Sequence, residues 1–271
     1  MEHYIHPSLL SAPVEVLLVG AGGTGCRVLE SLLCLHRALV AKGHPHGLKV
    51  TVADPDEVSP ANVGRQTFYN VDVGANKATV LVNRVNMALG GSAIWSASPH
   101  AIEPSDHLED FGIVIGAVDN RKARHAILSG MQRRKYGSAY WLDFGNNADV
   151  GQFVLGEVDG KFASPRTEPR LPHVGDLFPD LIDAGADSEE DGPSCSLAQA
   201  LERQHLFVNQ SVSVQGMNML WNLFNDGMTS VHGAFVATKI CQSHPLHVDL
   251  RVWKRFGYVP KFRKPALRKA A

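Results

Sequence analysis

Apolar positions along this chain follow two rhythms. Residues 14–19 (VEVLLV) and 48–53 (LKVTVA) are short β-branched runs, whereas between them Val28, Leu29, Leu32, Leu33, Leu35, Leu39 and Val40 recur at helical spacing. The first unit is therefore strand, helix, strand. Further strands are predicted at 93–97 and at 111–118 (FGIVIGAV), the latter apolar without alternation, as befits a strand covered on both faces. A helix is predicted over 121–134. This order implies an α/β fold with a doubly wound, mostly parallel sheet, whose ligands bind beyond the carboxyl ends of its strands. After it the rhythm changes. Residues 140–144 and 151–158 flank the turn GNNAD and read as strands of a different, antiparallel sheet region. Residues 160–195, rich in Pro, Gly and acids, read as a long mobile loop. Residues 196–204 and 207–224 read as helices, and 231–239 and 246–252 as closing strands.

Gly20, Gly22, Gly23 and Gly25 sit between the first strand and the first helix. Glycines there expose backbone N–H groups at the positive end of a helix dipole, which suits a phosphate. A P-loop would place Lys and then Ser or Thr after Gly25, but Cys26 and Arg27 stand there. A Rossmann-like dinucleotide turn asks for Gly-x-Gly-x-x-Gly and an acid closing the second strand. Gly20, Gly22, Gly25 and Asp54 meet that description, so glycines plus acid leave NAD(P) and another adenine nucleotide equally open.

The residues after Asp54 separate the two. Asp54-Pro-Asp56-Glu-Val58 is followed by Asn62-x-x-Arg65-Gln66, by Lys77, and by Asp119-Asn120 at the end of the fourth strand. In this order and spacing the chain resembles the ThiF/MoeB/HesA family, bacterial relatives of ubiquitin-activating enzymes, over roughly its first 125 residues. Residues 140–157, with Gly151-Gln152, are similar to that family's strand pair; from Gly160 onward the likeness is thin. The compact form, with PSCSL at 193–197 and a basic tail, resembles the ThiF-like member of the PRTRC gene system.

The resemblance implies an ATP-dependent adenylyltransferase, using Mg2+, that activates the C-terminal carboxylate of a small ubiquitin-like or sulfur-carrier protein. It implies that Gly20, Gly22, Gly23, Gly25, Asp54, Asn62, Arg65, Gln66, Lys77 and Asp119 hold the nucleotide. Their chemistry suits the task. The barrier to attack of a carboxylate on a phosphate is mostly repulsion between anions, so positive charge must sit where negative charge accumulates. Arg65 and Lys77 can supply it catalytically, Asn62 can donate to a phosphate oxygen, Asp54 can take the ribose hydroxyls and Asp119 can hold magnesium. Cys195, just before a predicted helix, is the candidate thiol for thioester or sulfur transfer. Cys26 opens a helix on ground the phosphates would occupy, and Cys34 and Cys241 read as buried and inert. The alternatives are an NAD(P)-dependent oxidoreductase and a non-catalytic nucleotide-binding scaffold.

These readings divide the chain into a nucleotide-binding region (1–158), a crossover loop (159–195), C-terminal helices and strands of the same domain (196–252) and a basic tail (253–271). Composition adds exclusions. With 271 residues, 44% hydrophobic, 20% charged and formal net charge -1, the chain is neither disordered nor supercharged, and nothing points to nucleic acid. From Arg251 onward there are eight basic residues and no acid, a charge run that can meet an acidic partner. Four cysteines without a C-x-x-C pair argue against a disulfide framework and against the zinc site of many relatives, so no zinc is expected and a reducing cytoplasm fits. No signal peptide and no apolar run of ~18 residues is visible, so no membrane is expected. The resemblance also implies a homodimer, although no Lys or Arg precedes Arg27 to play the part of the arginine that reaches into the partner's ATP site in several relatives.

Overall fold

Val16 and Leu18 of the first strand enter one hydrophobic core, and Leu17 and Val19 enter a second one on the opposite face of the sheet. Successive side chains of a strand point to opposite faces, so a strand that is apolar at every position but Glu15 must be covered twice. The computed structural model describes residues 1–164, 166, 168–186 and 205–260. Its main sheet contains β1 (Val14–Val19), β2 (Leu48–Ala53), β3 (Ser96–Ser98), β4 (Ile113–Gly116), β5 (Ser138–Asn146), β6 (Val150–Asp159), β7 (Val231–Ala237) and β8 (Gln242–His247). They lie in the order β8-β7-β6-β5-β4-β1-β2-β3. From β3 to β5 neighbouring strands run parallel, and β6, β7 and β8 add antiparallel pairings. Helices α1 (Gly23–Ala41), α2 (Lys77–Leu89) and α4 (Val208–Asp226) supply the first core, and α3 (Arg121–Met131) supplies the second. The fold is the expected doubly wound α/β sheet with antiparallel C-terminal strands, except that β5 and β6, read as a different sheet region, continue this one sheet, and β5 pairs in parallel with β4. The connection reverses direction between β1 and β4, and the crevice beyond their carboxyl ends is where such sheets bind ligands.

Several local expectations change. The third strand starts later than 93, because Trp95 turns into the core and donates its indole N–H to the Leu48 carbonyl at 3.2 Å. Residues 168–182 are not a mobile loop. Val174 and Leu177 are buried in the second core and Leu171 in the first, Glu157 accepts the Leu171 N–H at 2.9 Å, and Arg170 forks onto Asp176 at 2.7 and 2.9 Å. The segment predicted as a strand at 246–252 splits. β8 ends at His247, and α5 (Leu250–Arg255) begins where the Asp249 carboxylate caps the Arg251 N–H at 2.8 Å. Trp253, read as the start of a tail, is fully buried. Cys34 is exposed, because the buried stripe of α1 runs through Val28, Leu32, Leu35 and Leu39 and leaves position 34 on the solvent side; Cys241 is exposed as well. Among the described residues no helix is long and apolar enough to cross a membrane.

Trp253 is held by a buried histidine. Its indole donates to His232 Nε2 at 2.9 Å, so His232 carries its proton on Nδ1 and donates it to the Leu155 carbonyl at 2.8 Å. A second proton would displace the tryptophan, and burial lowers the imidazole to about 4 from 6.5. Between those values the unfolded chain binds a proton that the native state refuses, so stability falls as pH drops from 6.5 toward 4. The loss expected from this ring is on the order of 3 kcal/mol. His232→Gln should melt lower at pH 7 yet lose less stability than the wild type over that window. Parallel melting curves for the two proteins across pH would assign the acid sensitivity elsewhere.

Candidate functional site

The glycine turn is built by close approach. Gly20 has φ +94°, and a Cβ there would sit 2.5 Å from the Ala117 carbonyl oxygen, so the end of β1 lies directly against the end of β4. Gly25 packs the first turn of α1 onto Gly20 so tightly that a Cβ would collide with the Gly20 carbonyl oxygen. Gly22, the residue capping α1, has open space on its Cβ side. Gly23 faces the Asn209 side chain of α4. The result is a turn whose interior contacts admit only backbone and whose outer side is free to approach an anion.

Asp54 latches this turn. Its Oδ2 accepts the Ala21 N–H at 2.5 Å and its Oδ1 accepts the Asp56 N–H at 2.8 Å, in a nearly buried position. Burial pushes the carboxyl upward in pKa, and those two N–H groups oppose it. Asn76, which sequence reasoning did not single out, ties the same segment to α2. Its amide donates to the Asp54 carbonyl at 2.8 Å while its Oδ1 caps the Thr79 N–H at 3.0 Å. Lys77 follows at once. Only 8% exposed, it pairs through Nζ with the exposed Asp56 carboxylate at 2.8 Å.

Asn62 ends a short turn at Pro60–Asn62, where its Oδ1 accepts from the Ser59 N–H at 2.8 Å and the Ser59 hydroxyl at 3.1 Å. Arg65 is half-buried, and burial lowers its guanidinium pKa. Gln66 is buried, with an Oε1 that meets no hydrogen-bond donor among the described residues. Thr67 lies by the Cys26 thiol, which brings this loop to the first turn of α1. Arg84 of α2 holds the loop from behind: it donates to the Thr67 carbonyl at 2.6 Å, pairs with Asp72 and covers the Tyr69 ring at 4.6 Å. Nothing in the local sequence announces that role.

Asp119 emerges exposed from the end of β4, two residues beyond the Ala117 carbonyl that touches Gly20. Asn120 caps α3 by accepting the Ala123 N–H at 2.8 Å and donates to Asp119 Oδ1 at 3.2 Å, so the cap and the orientation of Asp119 are one arrangement. Behind it Arg124 and Asp143 form a buried ion pair. Burial pushes Asp143 up to about 6 while Arg124 pulls it down. No group of three or more His, Cys, Asp or Glu among the described residues could hold a metal. A single carboxylate at the phosphate end nevertheless fits magnesium, which is commonly held by one or two carboxylates together with the phosphates of its nucleotide.

Cys26 is buried, donates to the Gly23 carbonyl at 3.3 Å and is pushed up by burial, which keeps it a thiol. Cys195 lies outside the described residues. A cavity of about 510 Å³ opens at the opposite, amino-terminal edge of the sheet, bordered by His3, Tyr4, Tyr136, Glu157 and Arg166, and it shares no residue with the glycine turn.

Residues 10–137 match the ThiF family. Among curated proteins, the NEDD8-activating enzyme E1 catalytic subunit of Dictyostelium discoideum is 33% identical over 118 residues, 42% of this chain and 24% of that protein. The corresponding subunit of Drosophila melanogaster is 31% identical over 123 residues, 44% of this chain and 24% of that protein. The match thus spans about a quarter of the length of these relatives. The solved structure of the E. coli tRNA N6-threonylcarbamoyladenosine dehydratase TcdA aligns with 46% of this chain and 50% of its own, at 24% identity and a TM-score of 0.37.

Proposed function

We propose, from the match of residues 10–137 to the ThiF family, that this protein is an ATP-dependent adenylyltransferase acting on the C-terminal carboxylate of a small ubiquitin-like or sulfur-carrier protein. The carrying observation is the company kept by the glycine turn. A buried acid latches it, a loop and helix start bearing Arg65 and Lys77 follow the second strand, and one oriented, exposed carboxylate closes the fourth. A nicotinamide site has use for the acid but none for the cations. Here they face an α-phosphate under attack. The partner's carboxylate oxygen bonds to the α-phosphorus, the bridge to the β-phosphate breaks, and pyrophosphate leaves from an acyl-adenylate. Arg65 and Lys77 stabilise the charge spread over the phosphoryl oxygens, more strongly in the transition state than before it. Asp54, with one lone-pair direction of each oxygen given to backbone N–H groups, offers the remaining ones to ribose hydroxyls. Magnesium, held by Asp119 and the phosphates, would neutralise the leaving pyrophosphate.

For the second step we assign Cys195 as the thiol that opens the acyl-adenylate, forming a thioester with release of AMP; the buried Cys26 is unsuited to it. The protein is taken to work as a homodimer.

ATP–pyrophosphate exchange tests the reading. Exchange is expected only when a partner with a free C-terminal carboxylate is present. Cys195→Ala should keep exchange and lose a reductant-sensitive adduct with the partner. In thermal melts ATP should stabilise the protein, and a ligand at ~100 times its dissociation constant adds ~2.7 kcal/mol. Stabilisation by NAD alone would overturn adenylation in favour of hydride transfer, and ATP binding without exchange for any carboxylate partner would leave a scaffold.

A further inference from the structure

Arg124 joins three elements at the carboxyl edge of the sheet. It projects from the first turn of α3 and is 5% exposed. Its Nε donates to both oxygens of Asp143 on β5, each at 3.1 Å. Its Nη2 donates to the Val118 carbonyl at 2.9 Å, beyond β4, and to the Phe144 carbonyl at 3.0 Å. The Val118 carbonyl belongs to the peptide that leads into Asp119. One guanidinium therefore fixes the backbone on which the exposed carboxylate stands, while Asn120 fixes the carboxylate itself.

The chain clears room for this pair. A Cβ at Gly116 would lie 2.9 Å from Asp143 Oδ1, and one at Gly145 would lie 3.3 Å from Arg124 Nη2. Asp143 is 1% exposed and pairs in register with Gly116 on the neighbouring strand. Burying an ion pair is a poor way to gain stability, since apolar residues of similar volume usually serve as well or better. Within the pair Arg124 supplies directional bonds to one carboxylate and two backbone carbonyls at one place, which a hydrocarbon filling cannot.

We infer that Arg124 and Asp143 are positioning residues that set the Val118–Asp119 peptide so that the Asp119 carboxylate meets the metal–nucleotide complex. This rests on the adenylation reading for its consequence in turnover, but its first consequence is in binding. The wild type should bind ATP more tightly with Mg2+ than in EDTA, and that gain should depend on the pair.

The test uses the full chain, comparing the wild type with Arg124→Met/Asp143→Leu and with Arg124→Lys by calorimetric titration of ATP in EDTA and in Mg2+, by melting, and by ATP–pyrophosphate exchange. The apolar double variant should fold and melt close to the wild type, bind ATP in EDTA with little change, lose the Mg2+ gain, and exchange about 10²-fold more slowly, the scale of a misplacement near 1 Å. Arg124→Lys keeps the charge but cannot fork between a carboxylate and two carbonyls, so it should lose most of the Mg2+ gain as well. If the double variant does not fold, Arg124→Lys decides the matter. A folded variant with the full Mg2+ gain, or a wild type whose ATP binding ignores Mg2+, overturns the inference. A wild type that shows the gain but no exchange defeats adenylation instead, and the positioning role is then judged on the binding data alone.

Discussion

Asp119→Ala is expected to lower ATP–pyrophosphate exchange by about 10²–10³, the usual loss when one preorganised group that meets transition-state charge is removed. The size follows from isolation. Among the described residues no group of three or more His, Cys, Asp or Glu could hold a metal ion, so in the proposed site nothing replaces the charge of Asp119. Asp119→Asn should lose nearly as much, because the amide keeps the shape and the bond to Asn120 is retained in kind while the charge is gone. The side chain is exposed and buries nothing, so both variants should melt like the wild type. Exchange within about tenfold of wild type in either variant would remove Asp119 from the charge-bearing machinery. The contrast with Arg124→Lys is informative: one variant removes the ligand, the other leaves it present and displaced.

Gly25→Ala should cost more than activity. The added methyl group would drive into the Gly20 carbonyl oxygen, a backbone atom on a turn already held by Ala117 and by Asp54 through Ala21. No flexible side chain is there to yield. Overpacking a rigid contact costs ~1–3 kcal/mol and sometimes more, so the expected result is a clearly lower melting point together with loss of the ATP-induced shift. Gly22→Ala is the control. It has open space on its Cβ side and a negative φ of -78°, so its melting point should stay near wild type. Any ATP weakening in that variant would then report a phosphate lying against the methyl group. If Gly25→Ala melts and binds ATP like the wild type, the tight seating of α1 on the turn is not what shapes the site.

The glycine turn is legible in the sequence. Gly20, Gly22 and Gly25 have the spacing of a turn between strand and helix, and Asp54 ends the second strand; both are local facts, recorded in chain order. That the sheet is covered on both faces is legible too, since the run at β4 is apolar without alternation. Where the reading failed locally, two signals competed. Leu-His-Val-Asp-Leu-Arg-Val at 246–252 alternates like a strand, but its aspartate caps a helix as soon as α5 can bury Trp253 beneath His232. The acidic, Pro-rich stretch after Gly160 looked unstructured because its few apolar residues, Leu171, Val174 and Leu177, are spaced by the surface they cover rather than by any period of their own.

By itself, then, the sequence determined the order of the first strands and helices and the place of the glycine turn, because each depends on neighbours within a turn or a strand, whereas the cations and the carboxylate expected beside the turn rested on a resemblance. Tertiary structure alone decided how those groups are held. The two oxygens of Asp54 meet N–H groups from different segments, Lys77 finds Asp56 across 21 positions, and Arg124 finds Asp143 across 19. Such pairings are invisible to periodicity, since they form only where a helix start and two strand ends are brought to one edge of a sheet. The same reason sent Cys34 to the solvent: an apolar stripe says which side of α1 is buried, but only packing against the sheet and α4 sets how wide that side is.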